Sequence, residues 1–168
     1  MDAATPERLI GRATGTGEPS AVVVLSFEQR VRTRYVTALE DGRPLVVAVP
    51  RGSVMRGAEH WVTASGLVVA VLAARESLLE VTSDDPLLLA RAAYHLGNRH
   101  VAVEIAAGRI RIAHDPVLGR LLEGLGLQPY ALVGAFEPEG GAYGHDHAHA
   151  GGGHALAPVL HEYRSGSV

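Results

Sequence analysis

The stretch GHDHAHAGGGH places His145, His147, His149 and His154 within ten positions. Five of the nine histidines in the chain lie in its last 24 residues. On an extended backbone His145, His147 and His149 would project from one face, with neighbours about 6 to 7 Å apart. A chain that folds back can gather several of them on one ion, and Asp146 offers an oxygen beside them. Neutral imidazole suits Ni²⁺, Cu²⁺ and Zn²⁺. The sequence contains no cysteine, so any metal must be held by nitrogen and oxygen donors. The plain alternative is a low-complexity tail or a purification remnant, against which stand the interruptions between the histidines and the lack of a cleavage sequence.

The other histidines read differently. His100 follows the HLGNR run, where Gly97-Asn98 suggests a left-handed turn. On composition alone, a lone histidine before an apolar strand is more often structural than a ligand. His95 falls inside a helical pattern, His114 sits exposed beside a helix cap, and His60 adjoins Trp61 without an evident partner. Glu137 and Glu139 flank Pro138 in a loop with no sign of a pocket, which argues against acid/base catalysis there. No nucleophile-elbow pattern occurs. The glycine-rich GRATGTGEPS lacks both the lysine and the preceding strand of a phosphate loop.

The elements that carry these residues are legible in the hydrophobic pattern. AVVVLSF reads as a buried-type strand and VRTRYVTA as a half-exposed one. EDGRP breaks the chain, and LVVAVPRG is the next strand. WVTASGLVVAVLAA gives two more about Ser65-Gly66, and SLLEV follows. Asp85 with Pro86, and Asp115 with Pro116, carry the cap-plus-proline signature of a helix start. VAVEI and RIRIA form strands between the two helices, and ALVGAF forms one after them. The order over residues 77 to 136 is βαββαβ, the ferredoxin-like arrangement. The chain is thus expected to be α+β: a small N-terminal β domain over 1–76, a ferredoxin-like domain over 77–144, and a mobile His-rich tail over 145–168, too polar and glycine-rich to offset its ordering entropy.

The totals narrow the function. Aromatic residues at 5% and a formal charge of −3 supply neither a stacking platform nor a drive toward nucleic acid. The opening MDAATPERLIGRATGTG carries charges at Glu7, Arg8 and Arg12 and no long apolar run. We therefore expect no signal peptide, no membrane contact and a cytoplasmic location.

YHLGNRHVAVEI, IAHDPVLGRLLEGLG, AFEPEGGAYG and the His-rich C-terminus, in this order, resemble the UreE urease accessory family of nickel metallochaperones. VPRG and AARESLLEV extend the resemblance, which runs from about Ser26 to His154. It implies a non-enzymatic homodimer that delivers Ni²⁺ to apo-urease with the urease accessory GTPase and its companion proteins. It also implies an N-terminal domain that binds peptide segments. By this resemblance His100, the last residue of HLGNRH, lies at the dimer axis, where two copies meet on one ion. The tail residues His145, His147, His149 and His154 complete or extend that site. Zn²⁺ or Cu²⁺ could occupy the same ligands. The sequence departs from the family in having GAEHW after the PRG strand, and it offers only His114 where some members carry a further histidine pair.

Three rivals stand beside this reading: a nickel or zinc buffer acting through the tail, a metal-dependent hydrolase using His100, His114 and Glu137, and a folding chaperone acting through the β domain alone. A two-histidine centre suits a carrier, which must release its ion, better than a structural site closed by four ligands. Because only neutral imidazole binds metal and histidine ordinarily titrates near ~6.5, nickel affinity is expected to fall as pH is lowered from 8 to 5.5. Calorimetry across that range checks it, and an unchanged affinity would contradict histidine ligation.

Overall fold

The computed structural model describes residues 6–14 and 17–140. The first sheet has six strands: β1 (Glu7–Arg12), β2 (Ala21–Leu25), β3 (Arg34–Ala38), β4 (Pro44–Ala48), β5 (His60–Thr63) and β6 (Val68–Ala73). Their order is β2-β6-β5-β1-β4-β3. The β1–β4 and β2–β6 pairs are parallel, and the other pairs are antiparallel. Alternate residues turn inward to one core, with Leu9, Val23, Leu25, Leu45, Val47, Met55, Trp61, Val69 and Val71 all buried. Tyr35 packs on this core, and burial pushes its phenol up to about 12.

Two features of this half differ from the sequence reading. β1 has no counterpart there, because among its six residues only Leu9 is buried and charged residues surround it. The run AVVVLSF is not buried on both faces: β2 alternates, with Val24 47% exposed, and the chain then turns into a short helix, α1 (Phe27–Val31). Ser26 and Gln29 close a reciprocal capping box at its start, a serine and glutamine three residues apart that each satisfy one orphan backbone donor.

The second sheet is formed by β7 (Arg75–Thr82), β8 (Glu104–Ala106), β9 (Arg109–Ala113) and β10 (Tyr130–Ala135), in the order β10-β7-β9-β8 with every neighbouring pair antiparallel. Helices α2 (Pro86–Gly97) and α3 (Pro116–Gly124) complete the βαββαβ order. The carboxylate of Asp85 accepts from the Leu87 N–H, and that of Asp115 accepts from the Val117 and Leu118 N–H groups. Both helices pack on the sheet face that carries Leu79, Val81, Ile110 and Ile112. β8 is shorter than VAVEI suggested: only Glu104 and Ile105 of that run pair, and Val101 and Val103 instead pack against the helices. The opposite face carries a charge network. Arg109 and Arg111 bridge Glu80 and Glu104, and the Tyr130 hydroxyl donates to Glu80.

The two sheets are linked directly through Ala74, between β6 and β7, and residues 136–140 leave β10 and cross back to the first sheet. Arg30 of α1 is completely buried beneath this crossing. Its Nη1 donates to both carboxylate oxygens of Glu137 at 2.9 Å and to the Met55 carbonyl at 3.3 Å, and its Nη2 donates to the Phe136 carbonyl. Phe136 is buried edge-on against Phe27, with ring centroids 5.5 Å apart. The Gly57 N–H donates to Glu137 Oε1 at 2.8 Å, and a Cβ on residue 57 would stand 2.5 Å from that oxygen. On the other side, the Glu137 N–H donates to Glu104 Oε2 and the Glu139 N–H to the Val103 carbonyl, both at 2.8 Å.

This joint is asymmetric. The Glu137 side chain is 35% exposed and keeps other donors, whereas the Arg30 side chain has no contact with water. Removing the carboxylate strands a buried charge, which costs about 3–5 kcal/mol. Replacing the guanidinium by an apolar chain of similar volume leaves Glu137 its water, Gly57 and Arg56. Glu137→Ala is therefore expected to destabilise the protein by about 3–5 kcal/mol, and Arg30→Met by clearly less. Urea unfolding of both variants checks the order, and equal losses would refute it.

Candidate metal centre

His100 sits where α2 ends, in backbone geometry that its sequence does not advertise. The helix continues through Gly97, and the left-handed residue that stops it is His100 itself, with φ of 56°. The Val101 N–H returns to the Leu96 carbonyl at 3.2 Å and the His100 N–H to the Gly97 carbonyl at 2.9 Å. These are the paired bonds of a Schellman motif, in which the left-handed position usually holds glycine. Leu96 is fully buried and Val101 packs on the same core, which supplies the apolar contact across the cap. The Arg99 guanidinium donates to the His95 carbonyl at 3.0 Å and helps satisfy the helix end.

The backbone at His100 is therefore pinned on both sides while the residue itself is exposed. A left-handed conformation costs a residue with a Cβ about 1–2 kcal/mol relative to its right-handed alternative, and such cost concentrates where a side chain is needed in a particular place. The expected left-handed turn at Gly97-Asn98 is thus displaced to His100. The signal in the sequence was real, but two glycine-like candidates preceded the residue that carries it.

The remaining candidates are dispersed. His114 is exposed at the end of β9, its N–H donating to the Ser77 carbonyl at 3.0 Å. His95 is partly buried in α2, its ring edge-on to that of Tyr94, and His60 is half-buried at the start of β5. The Glu137 carboxylate is engaged by Arg30 and Gly57, so it does not face a site with His100 and His114 as the hydrolase rival requires. Among the described residues, no three potential ligands are grouped to hold a metal. His145, His147, His149 and His154 lie outside the described residues.

Sequence reasoning did not find Arg30, nor the role of Phe136 and Glu137 in tying the segment after β10 to the first sheet. The Glu139 to Val103 bond fixes the chain three residues from His100 in sequence. The described end of the chain is thereby tied to the segment that follows His100.

Relief of the strain at residue 100 is measurable apart from metal. His100→Gly is expected to leave metal-free stability unchanged or raise it by up to about 1 kcal/mol, and His100→Val to lower it by about 1–2 kcal/mol. Denaturant unfolding in the presence of chelator reads both, and a clear loss for the glycine variant would contradict the strained cap.

Comparison with known proteins matches both halves. The model of the UreE urease accessory protein N-terminal domain matches residues 7–74, and that of the C-terminal domain matches residues 76–164. A urease accessory protein UreE from Ralstonia nicotianae is 48% identical over 127 residues, which cover 76% of this chain and 60% of that relative. The protein of that name from Nitrosospira multiformis is 41% identical over 152 residues, 88% of this chain and 86% of its own length. The one from Proteus mirabilis is 42% identical over 131 residues, 78% and 81% of the two chains. With both family domains matched in order, and a relative 41% identical over 88% of this chain, the chain belongs to the UreE urease accessory protein family.

Proposed function

We propose that this protein is a nickel metallochaperone that carries Ni²⁺ for assembly of the urease active site. The observation that carries the reading is the placement of His100, exposed and pinned at the end of α2, with the chain that leads to the tail histidines tied to Val103. In this reading two copies pair so that their His100 side chains share one ion. His145, His147, His149 and His154 supply further, exchangeable ligands, and Zn²⁺ or Cu²⁺ can compete for them. Leu87 and Tyr94 support the pairing: they are seven residues apart on α2, 57% and 66% exposed, and lead toward His100. The partners are the urease accessory GTPase, its associated maturation proteins and apo-urease.

The domain reading is 1–76 as a partner-binding β domain, 77–144 as a ferredoxin-like dimerisation and metal domain, and 145–168 as the ligand-bearing tail. Support for the ferredoxin-like assignment is the sheet order β10-β7-β9-β8, in which the fourth and first strands of the βαββαβ unit are neighbours, as are its third and second. Among the described residues no helix is long and apolar enough to cross a membrane, and a cytoplasmic carrier needs none.

Nickel titration by calorimetry of a chain ending at Gly144, with and without His100→Ala, tests the proposal. We expect one tightly held ion per dimer, lost in the His100→Ala protein. Absence of tight binding in both would move the site to the tail and make the protein a store rather than a carrier.

A further inference from the structure

The outward face of the first sheet carries a groove that the metal chemistry does not use. It has a volume of about 540 Å³, its floor is formed by Val36, Val46 and Ala48, and Pro6, Arg8 and Arg34 stand at its rim. Register explains the composition. Arg8 on β1, Val46 on β4 and Val36 on β3 are cross-strand neighbours in one row, and Ala48 and Arg34 form the next outward row. Their inward neighbours Leu9, Val47 and Tyr35 pack in or against the core.

Three properties of this face are those of a docking surface. Val36 is 72% exposed although it is β-branched and central in its strand. Neither the Arg8 nor the Arg34 side chain forms an ion pair or hydrogen bond with another described residue, whereas Arg30, Arg43, Arg56, Arg109 and Arg111 are all paired. β3 is also a sheet edge. The bonds from Leu39 N–H to Arg43 and from Val49 N–H to Thr33 fix the ladder's phase. In an antiparallel ladder that phase turns the N–H and C=O groups of Arg34, Val36 and Ala38 away from β4, to the open side.

We infer that this groove binds an extended, acidic segment of a partner protein, seating an apolar side chain on Val36 and Val46 between carboxylates held by Arg8 and Arg34. The sign of the charge chooses the class of segment: two cations at the rim repel a basic peptide and attract an acidic one. The apolar floor requires that the acidic residues be interspersed with apolar ones, and the open edge of β3 provides backbone hydrogen bonds to a segment leaving the groove. This inference rests on the reading of residues 1–76 as a partner-binding domain and needs no metal, so its failure would leave the His100 centre untouched.

The test uses the full-length protein in chelator and a fluorescein-labelled ten-residue peptide of alternating valine and glutamate, beside a counterpart with lysine for glutamate. Fluorescence polarisation is expected to show binding of the acidic peptide and not of the basic one, weakening as salt is raised. Arg8→Glu combined with Arg34→Glu should reduce affinity by about tenfold or more, the scale of two exposed ion pairs lost and reversed. Val36→Asp should reduce it likewise, while nickel titration of these variants stays as in the parent. Failure of the acidic peptide to bind, equal binding of both peptides, or indifference to the double reversal would overturn the inference. So would a change in sedimentation mass caused by the double reversal, which would assign the face to a second copy of the chain.

Discussion

A single buried guanidinium, that of Arg30, ties the segment that leaves β10 to the first sheet. Arg30 is surrounded by Phe27, the Met55 carbonyl and the crossing segment, and its charge is matched only because Glu137 arrives from the far end of the chain, 107 positions away. Its Nε has no partner among the described residues, which raises the cost of burying the group and makes the carboxylate indispensable. An ion pair of this kind contributes little net stability compared with an apolar substitute. What it provides is selectivity of arrangement, since the charge is tolerated in one position of the crossing segment and severely penalised in others. Gly57 belongs to the same constraint, because any side chain there would displace the Glu137 oxygen.

From this joint follows the path of residues 136–140. The crossing segment is stitched to the first sheet by Arg30, Gly57 and Arg56, and to the second by Glu104 and Val103. Glu104 serves both sides of the structure, taking Arg109 and Arg111 on one oxygen and the Glu137 N–H on the other. The charge network on the open face of the second sheet thereby orients the strap and, with it, the starting point of the histidine-rich segment.

The alternating order of the second half was legible because its cues are local. Asp85-Pro86 and Asp115-Pro116 announce their helices within two residues, and RIRIA and ALVGAF carry a period of two. What escaped was non-local. β1 exposes most of its side chains and is defined by its partners β4 and β5, so no pattern within ERLIGR distinguishes it from a charged loop. Arg30 looks like any arginine at the end of a short helix until Glu137 is brought over it. His100 is the intermediate case: HLGNRH signals a helix end, but which residue takes the left-handed conformation is decided by where Leu96 and Val101 meet the core. The resemblance to the UreE family singled out His100 as a proposed ligand, and the backbone gives that residue a pinned, exposed position at the helix end.

The tie between Glu139 and Val103 also has a consequence for the order of binding events. In the proposed carrier, covalent attachment at this point would turn the arrival of a tail imidazole at His100 from an encounter between molecules into an intramolecular one, at an effective concentration on the order of millimolar for a short flexible linker. Occupancy of the remaining ligand positions would then depend on the length of chain between the anchor and each histidine, and hardly on how much protein is present. Such an arrangement would tolerate variation in the number and spacing of the histidines, provided that the anchor stays in place.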